Sequence, residues 1–339
     1  MRIVLAVLAF SFWATATHAQ QAPDIEAVVE KHILAGYLAF ETATRDLADQ
    51  AEADCRPDSE PLRAAFHDAF DAWLKVSHLR FGPSEVDNRA FALAFWPDPR
   101  SKTRKALARL IANRDAIVSD PAEYKTLSVA ARGLYALERL LFDPEYTAPE
   151  TSEYVCALTR AVATDIASTA TEIGGDWRGG FAAELAGFGV GDSRYRTELE
   201  ALQEVFKALS TGLQFSSEAR LGRPLGTFER PRPKRAEMRL SERSQRNVLE
   251  SLDALQDLSR HLAANEPEIA ANLDSAFAFA RQSASNIGDD PVFASVSEVQ
   301  GRLMVEILQQ SIDGIREIVL VELGPALGVS KGFNALDGD

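Results

Sequence analysis

Apolar residues recur along this chain at spacings of three and four, the period of a helix with one buried face. From Asp24 onward, Ile25, Val28, Val29, Ile33, Tyr37, Phe40 and Leu47 share such a face, and Leu62, Phe66, Phe70, Trp73 and Val76 form a second. That run stops before Phe81-Gly82-Pro83, and the prolines of Trp96-Pro97-Asp98-Pro99 forbid a regular helix. Ser101 then reads as the N-cap of a helix reaching about Val118, and Ser119-Asp120-Pro121 opens another. Val129, Leu134, Leu137, Leu140 and Leu141 mark a further helix that ends at Asp143-Pro144. Thr151 to Ile173 is the next, and Gly174-Gly175 is expected to close it.

The second half repeats the style. Helices are predicted from about Arg194 to Leu221, Ser241 to Ala264 and Pro267 to Asn286. A last one carries Val296, Val299, Leu303, Ile307, Ile312, Ile315, Val319 and Leu323, up to Gly324-Pro325. No stretch alternates strictly enough for a strand. The pattern predicts an all-α fold of antiparallel, up-down helices in two bundle-like halves. The glycine-rich stretch 174–191 reads as the linker, giving an N-terminal bundle over 20–180 and a C-terminal bundle over 181–339.

Residues 1–19 read as a signal peptide. Arg2 is the positive start, Ile3 to Ala14 is apolar, and Thr17-His18-Ala19 offers small residues for cleavage after Ala19. The apolar run is shorter than the roughly 20 residues of a membrane span, and no later stretch qualifies. Export points to the periplasm, where the two cysteines, Cys55 and Cys156, are expected to bridge; two separately buried thiols are the alternative. The net charge of -14 argues against nucleic acid and anionic lipid as partners, and is compatible with a cationic ligand or metal ion.

The common chemical motifs are missing. There is no HExxH, phosphate loop or nucleophile elbow, and no catalytic residue is assigned. His67 and His78, eleven residues apart, would sit on one side of a helix about 16 Å from each other, too far to share an ion. His67 and Asp71 make a plausible local pair, and all four of these histidines, His32 and His261 included, read as ordinary surface or core-edge residues before metal ligands. The more informative cluster is Gly133-Leu134-Tyr135-Ala136-Leu137-Glu138, flanked by Arg132 and Arg139. Tyr135 and Glu138 lie at i and i+3 on an apolar helix, where a carboxylate needs an arginine, a hydrogen-bond donor or a cation. Their oxygens are hard ligands suited to ferric iron, so Tyr135 and Glu138 are the candidate metal ligands; a structural Glu–Arg pair beside a packed tyrosine is the other reading. The C-terminal Asn334-Ala335-Leu336-Asp337-Gly338-Asp339 is too short for a calcium loop and reads as a turn. The loop Arg230 to Arg235 is a basic segment on an acidic body.

Four segments together resemble the imelysin-like proteins: Trp73 through Phe81-Gly82-Pro83 with Phe95-Trp96-Pro97-Asp98; Gly133 to Phe142; Gly222 to Arg235 with Ser241-Glu242-Arg243-Ser244; and Gly332 to Asp339. The motif residues are Gly133, Trp96, Pro97, Asp98, Asn334 and Asp337. The resemblance implies two helical-bundle halves with a site between them, and a periplasmic protein linked to iron. It implies a binding component of iron uptake, holding iron or a small ligand. A metallopeptidase and an interaction module for another envelope protein are the alternatives. The family's G-x-H-x-x-E motif matches at Gly133 and Glu138, but Tyr135 occupies the histidine position. That removes the imidazole a zinc site would use and weakens the peptidase reading.

Overall fold

The computed structural model describes residues 23–98, 100–146, 152–189, 191 and 193–329. The expected signal peptide and the motif residues Asn334 and Asp337 lie outside them. The long helices are α1 (Ala35–Ala53), α2 (Glu60–Leu74), α3 (Lys102–Asn113), α4 (Gly133–Phe142), α5 (Ser152–Asp176), α6 (Glu198–Gln214), α7 (Ser244–Leu262), α8 (Pro267–Ser285) and α9 (Val299–Ile318). Among the described residues the sole extended pairing is the isolated bridge between Thr227 and Arg230, so the chain is all-α as its periodicity predicts.

The apolar stripes become packing faces. Tyr37, Phe40 and Leu47 on α1 bury against α2 and α5, and Phe66, Phe70 and Trp73 on α2 face the same interior. In the second half α8 packs on α7 and α9, and α6 also packs on both. Leu255, Phe277, Leu308 and Ile312 are among the residues buried there. One continuous apolar core runs through both groups of helices, and α2 meets α7 where they join. Burial at roughly 25 cal/mol per Å² of apolar area makes these faces the main stabilising contribution. Cys55 and Cys156 form a disulfide with Cα atoms 5.0 Å apart, tying the end of α1 to the start of α5.

Several ends differ from the predicted ones, each for a local reason. Ser101 has a left-handed backbone and caps nothing. The cap is Asp98, whose Oδ1 and Oδ2 accept from the backbone N–H of Lys102 and Thr103 at 2.8 Å each. Helix α3 stops at Asn113, and a 3-10 turn over Ala116–Ser119 precedes the helix that Asp120 caps. Gly174-Gly175 does not end α5, which runs to Asp176 and continues as a π turn over Trp177–Phe181. Gly174 is small for a packing reason: a Cβ there would lie 1.5 Å from Glu41 Oε1, the oxygen that accepts from Arg178 Nη1 at 2.7 Å. Further π turns lie at Val29–Leu34, ahead of α1, and at Phe215–Leu221, after α6.

Candidate functional site

Gly133 fixes where the motif helix begins. Its φ is +75°, and a Cβ would lie 2.1 Å from Ala92 O and 2.5 Å from Leu93 O. Only glycine lets α4 start this close to the 89–93 helix. From that start, Tyr135 and Glu138 are both buried, as i and i+3 positions on a helix with an apolar face should be. They have different partners.

Tyr135 Oη donates to Glu237 Oε1 at 2.5 Å. The second oxygen of Glu237 accepts from Arg220 Nε at 2.8 Å and from Asn247 Nδ2 at 2.9 Å. Arg220 also donates from Nη1 to Ser216 Oγ at 3.2 Å. Arg220 and Glu237 are 5% and 1% exposed, so this is a buried ion pair whose carboxylate is saturated by donors. The Trp96 ring stacks on Tyr135 with centroids 6.4 Å apart and 11° between planes, and Phe70 meets it edge-on. Burial, reinforced by the Glu237 charge, pushes the Tyr135 phenol well above its ordinary range. The phenolate that ferric iron prefers is therefore costly here.

Glu138 Oε1 accepts from Ser241 N at 3.0 Å and Ser241 Oγ at 2.8 Å. Burial raises its pKa, and the two Ser241 bonds pull the other way. The donor that this buried carboxylate requires is thus a serine a hundred residues downstream. Neither flanking arginine supplies it: Arg132 forks onto Asp165 at 2.9 and 2.7 Å, and Arg139 reaches Asp143 at 2.7 Å. Among the described residues no three His, Cys, Asp or Glu side chains converge as a metal centre. A phenol that donates its hydrogen bond to a carboxylate already held by other donors, and a glutamate turned to a serine, do not make a donor set for a bare ion.

What does form beside Tyr135 is a cavity of about 400 Å³. Trp73, His78, Phe91, Trp96 and Tyr135 contribute from the first half of the chain; Lys207, Phe215, Arg220, Glu237 and Ser251 from the second. Glu138 is not in its wall. Phe91 and Phe215 are 40% and 36% exposed, so aromatic rings stay open to an entering molecule. Arg223 lies over the Trp96 ring and Arg220 over Phe215, 5.5 and 4.9 Å from the centroids. The π turn Phe215–Leu221 delivers both Phe215 and Arg220 to this wall. Such turns recur at functional positions because they re-aim side chains within a helix.

The histidines fall differently from their sequence spacing. Helix α2 ends at Leu74, so His67 and His78 do not share it. His67 Nδ1 meets Arg243 Nη1 at 3.0 Å, and burial together with the Arg243 charge pushes its pKa down to about 4. Asp71, the neighbour expected to pair with His67, is held by Arg243 and Arg246 instead. His78 packs against His32, a pairing across 46 residues that no local spacing announces. Trp96 and Pro97 join through a cis peptide at the cavity edge. The basic loop forms a 3-10 turn over Pro233–Arg235 with Lys234 and Arg235 exposed.

An all-helical body, with an aromatic cavity where its two groups of helices meet and a buried acid–arginine–phenol network in the wall, defines a class: a helical protein with a cavity at the junction of its helices. Residues 33–319 match the Imelysin family model, and the chain belongs to that family. Iron-regulated protein A of Synechococcus elongatus is 24% identical over 321 residues, covering 86% of this chain and 83% of the relative. The crystal structure of an imelysin-like protein from Psychrobacter arcticum superposes with a TM-score of 0.76 at 17% identity, over 91% of this chain and 96% of that one. A crystal structure from Parabacteroides distasonis gives 0.70 at 12% identity, over 89% and 97%. These structural likenesses are of fold.

Proposed function

We propose that this chain is an exported, periplasmic, non-catalytic binding component of iron-linked physiology. Its cavity holds a small ring-bearing acid, alone or as an iron chelate, rather than a bare ion. The observation that carries this reading is the wall itself. Trp96, Phe91 and Phe215 offer ring faces and edges, and Lys207 lies exposed at the same cavity with no ion-pair partner among the described residues. A planar ring with an acidic group satisfies both, and phenolic chelators of iron belong to that class. The naming of a relative as iron-regulated supports the link to iron. In this reading Tyr135 is part of the ligand's wall, and Glu138 holds the Ser241 segment in place behind it. The peptidase alternative lacks its histidine, since Tyr135 stands there.

Trp73 and Trp96 report on the cavity by fluorescence. The protein is titrated with benzoate, with protocatechuate and with the ferric complex of protocatechuate. Saturable quenching that weakens in Lys207→Ala and Trp96→Leu is expected. No saturable binding by any of the three, or binding that both variants leave unchanged, overturns the reading.

A further inference from the structure

The buried polar groups of Tyr135, Glu237 and Arg220 in the cavity wall are already spent on one another. Two others are not. His78 Nδ1 and Ser251 Oγ are buried and have no hydrogen-bond partner among the described residues, and both residues line the cavity. His78 is 6% exposed and Ser251 3%. A buried polar atom without a partner is costly, so a pair of them in one cavity wall marks a place built to be completed by something else.

The far side of His78 sets what that completion is. His78 Nε2 lies 2.9 Å from His32 Nε2, and His32 Nδ1 lies 2.7 Å from Asp257 Oδ2. An ionised carboxylate only accepts, so His32 Nδ1 carries a proton. In a neutral His32, Nε2 is then the bare nitrogen, and the proton shared by the two rings sits on His78 Nε2. His78 Nδ1 is left as a bare acceptor. Burial above all, with the neighbouring His32 ring and the Arg220 guanidinium, holds His78 well below the ordinary imidazole range, which keeps it neutral.

We propose that His78 Nδ1 and Ser251 Oγ form the polar subsite that recognises hydroxyl groups of the cavity's ligand, with His32 and Asp257 as positioning residues that keep His78 Nδ1 an acceptor. This rests on the cavity being a ligand site. It adds that the preferred ring carries hydroxyls, the groups that can donate to a bare imidazole nitrogen and pair with a serine. The charged or titratable groups acting on this His78–His32–Asp257 chain include Arg220 beside His78, and Arg260 and His261 beside Asp257, the His261 Nε2 lying 3.9 Å from Asp257 Oδ2, with Lys31 near His261.

Two measurements test this separately. In histidine-labelled protein without ligand, two-bond nitrogen–proton correlation is expected to show His78 protonated at Nε2 and bare at Nδ1, with Asp257→Ala mixing the tautomers. A His78 protonated at Nδ1 at neutral pH overturns the positioning role. In binding, protocatechuate, with its adjacent hydroxyls, is expected to exceed benzoate by about tenfold. Ser251→Ala and His78→Phe should erase that preference, with circular dichroism and thermal unfolding used to show that each variant folds. Equal affinities in the wild type, or a preference that survives both variants, overturns the subsite and leaves the cavity reading standing. Failure of both acids to bind overturns the cavity reading itself.

Discussion

Tyr135 donates its hydroxyl hydrogen bond to Glu237, 102 residues away, and not to the glutamate one helical turn along its own helix. The buried carboxylate it reaches also neutralises Arg220. Tyr135→Phe therefore removes one donor from a group that keeps two others, and should cost about 1–2 kcal/mol in urea unfolding. Glu237→Ala strands the Arg220 guanidinium in the interior and should cost about 3–5 kcal/mol. A smaller loss for Glu237→Ala than for Tyr135→Phe would show that the ion pair is not what holds this wall.

Gly133→Ala should be among the most damaging single-methyl changes in the chain. The new Cβ meets two backbone carbonyl oxygens, and the positive φ adds strain of about 1–3 kcal/mol by itself. Thermal unfolding is the measure. Gly175→Ala is the control, because no heavy atom lies within 4 Å of a Cβ built there.

The disulfide closes a loop with a sequence separation of 101. Loop-closure entropy assigns it about 4–5 kcal/mol. The double variant Cys55→Ser, Cys156→Ser should lower stability by that order, and reductant should destabilise the wild type but not the variant.

Acid should destabilise the fold before ordinary carboxylates titrate. His67 has a folded pKa of about 4 against a reference of 6.5, so the unfolded chain binds the proton first as pH falls. The stability its neutral form contributes is fully present above about pH 6.5 and is lost down to about pH 4. Unfolding followed between those values should show stability rising with pH, with a shallower slope in His67→Gln. An unchanged slope would place the sensitivity elsewhere.

The helices and the disulfide were legible because their causes are local or few: a three-to-four periodicity, and two cysteines with only each other to pair with. The G-x-x-x-x-E helix was legible as well, since Gly133 and Glu138 stand out on an apolar face. The partners were not. Glu237 answers Tyr135, Ser241 answers Glu138, and His32 answers His78, each brought in by tertiary packing that no spacing encodes. Tyr135 and Glu138 look like one site in the sequence because i and i+3 share a helix face; packing gave each its own neighbour. Gly174 misleads in the same way, since a glycine that admits Glu41 looks identical to one that ends a helix.

The π turn at Phe215–Leu221 has a consequence for how this chain tolerates length change. It holds one residue more per turn than an α-helix, and Arg220 lies within it. Deleting a single residue there would restore a regular helix and would be expected to look harmless. Yet each residue of an α-helix turns the chain by about 100°, so the deletion would swing Arg220 off Glu237 and uncover a buried carboxylate. The irregular turn is thus the part of the helix that cannot be tidied, because its extra residue is what aims the cavity's cation.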